Sequence, residues 1–217
     1  MSRIFIIGAT GGIASRLIPK LTDAGHQISG LHRKPEQADT LRQQGVDPVA
    51  GDIMDMSSDD FTKATRDHDV IVFSAGAAGS GPERTRGIDG DGVKKAIAAA
   101  EANGIRRFYL ISVFMDAGRD RPRKDGFELY MATKREADNA LVAADLDWVI
   151  VRPGTLEDDD GDGQINANRA IPYGPVARGN VAALLAELID TPDFHHEIVE
   201  VTNGSTPVKD AVRKLER

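Results

Sequence analysis

Short β-branched runs alternate with helical patterns along almost the whole chain, and that alternation restricts the fold more than anything else in the sequence. Residues 3–7, 27–32, 46–50, 70–73, 107–111, 148–151 and 198–201 read as strands. Residues 12–24, 35–44, a short stretch after Ser57-Ser58-Asp59, 88–103, 126–143, 181–189 and the segment from Pro207 onward read as helices. Val70-Ile71-Val72-Phe73 has no polar interruption, as expected of a strand covered on both faces. Such an alternation is satisfied by a parallel sheet with right-handed crossovers and helices on both sides. The expectation is therefore an α/β, doubly wound parallel sheet in three layers. It is taken as one domain over 1–217, with 154–217 adding a small substrate-side lobe. The stretch from Pro153 to Pro175, rich in Gly, Pro and Asp, reads as loop.

In open sheets of this kind, ligands bind beyond the carboxyl ends of the strands, and every motif that carries chemistry here falls at such an end. Gly8-Ala9-Thr10-Gly11-Gly12-Ile13-Ala14 joins the first strand to the first helix. Gly8 permits a tight turn, and Gly11 and Gly12 clear side chains where backbone would approach a pyrophosphate. Thr10 and Ile13 flank them, and the helix start offers unpaired N–H groups to negative charge. An NAD site usually has an acid at the tip of the second strand, for the ribose hydroxyl. Here the tip reads His32-Arg33-Lys34, which suits a 2′-phosphate and favours NADP(H) over NAD(H). Asp52 and Ile53 follow the third strand, Asp52 either beside an adenine amino group or simply as a turn residue.

Strand five ends at Ser112, and the next helix carries Tyr130 and Lys134 one turn apart on the same face. An ammonium close to the phenol would lower its pKa, making Tyr130 a proton donor to a carbonyl that Ser112 orients. Lys134 could also hold the nicotinamide ribose. The candidate catalytic set is Tyr130, Lys134 and Ser112.

The chain resembles the atypical short-chain dehydrogenases/reductases, above all the compact NAD(P)H-binding group that includes biliverdin reductase B-like and NmrA-like proteins. The residues that carry the likeness are the glycine loop, Arg33, Gly51-Asp52-Ile53, Ser74-Ala75-Gly76, Ser112, Tyr130 with Lys134, and Val151-Arg152-Pro153-Gly154. The resemblance implies that Ser74, Ala75 and Gly76 pass beneath the ribose and nicotinamide, and that Pro153, Gly154 and Thr155 line the nicotinamide pocket. It implies a substrate mouth formed by 155–175 with Phe114, Met115 and Phe127. Asn180 stands where relatives often carry Asp, and several members of the group bind cofactor without using the Tyr/Lys pair.

Composition narrows the function further. The net charge is −7, with no long Lys/Arg block, which argues against nucleic acid; the clusters 32–34 and 119–124 are short enough to serve only a small phosphate. With no cysteine, disulfides, thiolate metal sites and cysteine nucleophiles drop out. The opening apolar run is too short for a signal segment, and no stretch approaches a membrane span, so a cytoplasmic location is expected. Partners reduce to a small-molecule substrate, with room for a homo-oligomer. Glu157 to Asp162 lacks the ligand spacing of a calcium loop and reads as solvated, His195-His196 as surface and Trp148 as core, so no metal is expected. Three functions follow. The first is an NADP(H)-dependent oxidoreductase that passes hydride to a carbonyl or quinone. The second is a non-catalytic NADP(H) sensor acting through a protein partner. The third is a sugar-nucleotide epimerase or dehydratase, for which residues 152–217 leave little room for a substrate domain.

Overall fold

A computed structural model describes residues 1–117 and 125–216. The basic cluster 119–124 lies outside the described residues.

The main sheet has nine strands in the order β11-β8-β10-β6-β5-β4-β1-β2-β3. The strands β1 (Arg3–Ile7), β2 (Gln27–His32), β3 (Val46–Ala50), β4 (Val70–Phe73), β5 (Arg107–Ile111), β6 (Asp147–Pro153) and β10 (Glu197–Asn203) pair in parallel. Strand order reverses between β1 and β4, which share the register Ile4↔Val70 to Ile7↔Phe73. Helices α1 (Ala14–Asp23), α2 (Gln37–Gln43), α3 (Ser58–Ala64), α5 (Val93–Asn103), α6 (Phe127–Val142), α7 (Arg178–Ile189) and α8 (Val208–Leu215) cover the two faces, with a single turn α4 (Pro82–Arg84) preceding α5.

Period-two alternation sorts the core. Ile4 and Ile6 of β1 face α1, α7 and α8, packing with Leu17, Leu21, Leu184, Leu188 and Val212. Phe5 and Ile7 face the other way, onto Phe61 of α3, Ala96 and Ala100 of α5, and Leu141 of α6. The small residues of α5 let it lie close to the sheet beside α3, and Trp148 is buried in this second core.

Two segments differ from the expectation. Residues 153–175 are not plain loop. They hold β7 (Thr155–Glu157) and β8 (Gln164–Asn168), and β9 (Pro175–Ala177) follows at once. β7 and β9 pair with each other, while β8 inserts antiparallel between β10 and β11 (Thr206–Pro207). These strands are short and the segments between them are rich in Gly and Asp, so propensity hides them and neighbouring strand edges supply their pairing. The helix expected over 88–103 is instead a π-helical segment, Thr85–Gly92, running into α5. Among the described residues no helix is long and apolar enough to cross a membrane.

Candidate dinucleotide-binding and catalytic site

A cleft of about 1070 Å³ opens at the carboxyl ends of β1, β2, β4 and β5, where the strand order reverses. Its floor begins with the glycine loop. Gly8 has φ +90°, and a Cβ there would sit 2.6 Å from the Ala75 nitrogen, so both turn and close approach require glycine. Gly11 N–H donates to the Gly8 carbonyl at 3.0 Å, closing the turn. At Gly12 a Cβ would lie 2.7 Å from Arg178 Cδ, so its bareness also makes room for a guanidinium brought in by the start of α7. No side chain caps α1; the Ser15 and Arg16 N–H groups donate to the Gly11 and Ile13 carbonyls, and Gly11, Gly12 and Ile13, which lead into the helix, line the cleft.

Arg178 was not legible as a site residue, and neither was the anchoring of the acidic run. Arg16 binds Asp160 at 2.7 Å and Asp158 at 3.2 Å, and Arg178 lies 3.8 Å from Asp158. The carboxylates are exposed, as expected of 157–162, yet two arginines tie them across the start of α1.

At the tip of β2, Arg33 lines the cleft, half exposed, with its Nε 3.9 Å from an Asp52 oxygen. Asp52 accepts from Met54 N–H at 3.0 Å, as a turn residue does, and also lines the cleft. Ile53 and Leu31 form the adjoining apolar wall. Gln37, which sequence reasoning missed, accepts from the N–H groups of Arg33 and Lys34 and donates to the Thr10 hydroxyl, tying the β2 tip to the glycine loop. His32 is buried, its Nδ1 donating to the Lys34 carbonyl, and neither His32 nor Lys34 reaches the wall of the cleft.

Ser74, Ala75 and Gly76 line the cleft after β4. Pro153, Gly154 and Thr155 do not; Thr155 bonds Tyr173 at 2.7 Å, and Leu156 is the residue of this segment that reaches the cleft. Phe127 lines it too, whereas Phe114 and Met115 are buried, Phe114 edge-on to Tyr173.

Ser112, Tyr130 and Lys134 converge on the same cleft. Lys134 is buried; its ammonium donates to the Ile111 carbonyl at 2.8 Å and sits 3.6 Å from Asp89. Asp89, also buried, comes from the π-helical segment and accepts from Ala77 N–H at 3.0 Å. With the ammonium turned to Asp89, the Tyr130 pKa is not lowered as expected: burial, then the Asp89 and Asp138 carboxylates, push it up to about 12. One turn beyond Lys134, Asp138 is buried and receives two bonds from Arg152 of β6, at 3.1 and 2.8 Å. Burial raises the Asp138 carboxyl above the usual range, while Ser112 and Arg152 pull the other way. The Ser112 hydroxyl faces Asp138 yet makes no hydrogen bond of ordinary geometry, leaving a buried donor at the cleft. Asp89 and Asp138 carried no sequence signal of their own, and Arg152, part of the motif after β6, gave no sign that it would hold Asp138.

The cleft suits a dinucleotide. An uncapped helix start and Arg178 offer positive charge for a diphosphate, Arg33 adds a cation at the β2 tip, Leu31 and Ile53 make an apolar wall, and Ser112 and Tyr130 provide hydroxyls at the far end. That combination defines a dinucleotide-binding protein of the doubly wound α/β class, with a tyrosine–lysine helix beside the cofactor cleft. A model of the NAD(P)H-binding family matches residues 8–192, and the chain belongs to that family. It is 33% identical to the uncharacterized sugar epimerase YhfK of Bacillus subtilis, over 98% of this chain and all of the relative. Among solved structures it is similar to a Bacillus halodurans protein provisionally described as an NAD-dependent epimerase/dehydratase, with TM-score 0.90, 31% identity, and 99% and 100% of the two chains covered. It is also similar to the oxidoreductase ylbE of Lactococcus lactis, with TM-score 0.85, 27% identity, and 99% and 96% covered.

Proposed function

We propose that the protein is an NADPH-dependent reductase of a small carbonyl or quinone, working in the cytoplasm, with Tyr130 as the proton donor. One observation carries this reading: a tyrosine with a pKa of about 12 shares a cleft with the glycine loop, Arg33 and Arg178. At neutral pH that phenol keeps its proton. It is fitted to give a proton to an oxygen that is gaining charge, and poorly fitted to take one from an alcohol.

NADPH, when bound, supplies the hydride. The chain's residues do the rest. Arg33 engages the 2′-phosphate, and Arg178 and the start of α1 hold the diphosphate. Ser112 donates a hydrogen bond to the substrate oxygen. Tyr130 would pass its proton to that oxygen as negative charge gathers there and regain one from water. Lys134, held by Asp89 and the Ile111 carbonyl, is a positioning residue for α6 and for the ribose side of the cleft.

NADPH consumption against a panel of aldehydes, ketones and quinones tests the proposal. Tyr130→Phe should lower kcat by about 100-fold or more while NADPH affinity by calorimetry stays unchanged. Turnover that survives the substitution removes Tyr130 from the mechanism. Cofactor binding with no turnover on any acceptor points to a redox sensor, and binding of neither nicotinamide dinucleotide overturns the reading as a whole.

A further inference from the structure

At the opposite end of the sheet from the cleft, β6 and β10 begin side by side, with Glu197 in register with Val149. Asp147 opens β6, and His195 and His196 immediately precede β10. One ligand-type atom from each of these three side chains lies within 4.8 Å of the others. We propose that Asp147, His195 and His196 bind a divalent zinc-type cation, clamping the entrances of the two strands.

The geometry of the imidazoles carries the argument. Their Nδ1 atoms face each other at 3.1 Å, with the rings perpendicular. Two histidines on a tetrahedral zinc at Zn–N of about 2.0–2.1 Å have nitrogens about 3.3 Å apart, so a small movement admits the ion. The tautomer of His196 is already set. Its Nε2 lies 2.9 Å from the Leu146 carbonyl, which only accepts, so Nε2 carries the proton and Nδ1 presents a lone pair to His195. Its position is fixed too. The His196 N–H donates to the Trp148 carbonyl at 2.7 Å, its ring packs against Trp148, and its backbone is held at φ +58°, a region that side chains other than glycine and asparagine rarely enter. Asp147 keeps one oxygen near Arg106, at 3.3 Å, and Arg106 divides itself between Asp147 and Asp145, 3.1 Å away.

Two imidazoles and one carboxylate, with solvent open to a fourth position, form a donor set for zinc and its neighbours in the transition series. Magnesium and calcium prefer all-oxygen sites. The cluster was invisible in sequence because Asp147 is remote from the His pair until β10 docks beside β6.

Titration of tag-free full-length protein with zinc chloride, followed by calorimetry, tests the site. The expected result is one zinc per chain at micromolar affinity, no heat with magnesium, and a melting temperature that rises with zinc. His195→Ala alters an exposed ring, and His196→Asn tolerates the backbone conformation; each should weaken zinc binding by at least tenfold and abolish the thermal shift. Asp147→Asn should do the same to a smaller degree. Absence of zinc binding overturns the proposal, as do equal heats with magnesium or full zinc affinity in both histidine variants. A melting temperature lowered by the variants without any zinc response reduces the pair to a hydrogen bond between rings.

Discussion

Asn180 is 2% exposed, and all its polar atoms are used. Its Oδ1 accepts from Gly163 N–H at 2.9 Å, and its Nδ2 donates toward the Gln164 carbonyl, Asn203 Oδ1 and Asp162 Oδ1 at 3.1, 3.0 and 3.3 Å. Asn203 is oriented in turn by Ala177 N–H. The amide therefore sews α7 to the start of β8 and the end of β10, and through Asn203 to the end of β9. An aspartate at this position would keep the acceptor, lose the donors and set a buried charge against Asp162. Asn180→Asp should cost about 3 kcal/mol, read as a lower urea midpoint, with part of the loss recovered when Asp162→Asn is added. Asn180, with both donors and an acceptor in use, fits what surrounds it. Arg33 is a residue of the opposite kind, half exposed and tied only loosely to Asp52. Arg33→Ala should raise the NADPH dissociation constant about tenfold or more and leave that for NADH unchanged. An equal shift for both would mean that Arg33 does not read the 2′-phosphate. Arg33 was legible because strand β2 fixes where its tip falls. Arg178 was not, because nothing local says that α7 will begin above Gly12.

The π-helical segment is the element on which the site most depends. Its wider turn brings Asp89 inward, to the Ala77 N–H on one side and the Lys134 ammonium on the other, and so joins the loop after β4 to α6. Both charges are almost wholly buried, so removing either partner should be far more damaging than removing both. Asp89→Asn and Lys134→Met are each expected to cost about 3 kcal/mol. The double variant should be distinctly more stable than the sum of the two losses, and chemical denaturation of the four proteins measures the coupling. Additive losses would show that the pair contributes nothing beyond separate packing. Such an element could not be read in advance. Only residues 93–103 have helical composition; Gly87, Gly90 and Gly92 leave the preceding turn free to be regular or widened, and the facing residues Met54, Thr133 and Ile53 choose. The seven parallel strands were legible for the contrary reason. A run such as Val70-Ile71-Val72-Phe73 has one stable fate in water, burial on both faces, whatever packs against it. β7, β8 and β9 lack that compulsion, and they form because other strands offer them edges. In the same way Ser112, Tyr130 and Lys134 could be placed by strand end and helical spacing, but the direction of the Lys134 ammonium depends on an aspartate from another element.

For the molecule as a whole, acid pH sets carboxylates of opposite behaviour against one another. Asp69 receives the Arg3 guanidinium and N–H, which hold its pKa below the ordinary value; Asp60, bonded by Ser57, and Asp162, bonded by Gln164 N–H and Asn180, are lowered as well. A carboxyl lowered in the folded chain contributes stability that is present above the unfolded value and lost as pH falls through the folded one. Asp138 runs the other way. Burial raises it, so the folded chain takes up this proton before the unfolded chain does. Its contribution is fully present below the unfolded value and is lost as pH rises through the folded one. Comparison with variants separates the two signs. The stability advantage of the native protein over Asp69→Ala should shrink as the solution is acidified through and below the ordinary aspartate range. The difference between the native protein and Asp138→Asn should shift in favour of the native protein as pH falls from neutral toward 4. Urea midpoints measured from pH 7.5 down to pH 3.5 give both slopes. If the Asp138→Asn difference is flat over that interval, Arg152 and Ser112 fully offset the burial of Asp138, and its carboxyl titrates in the folded chain as it does in the unfolded one.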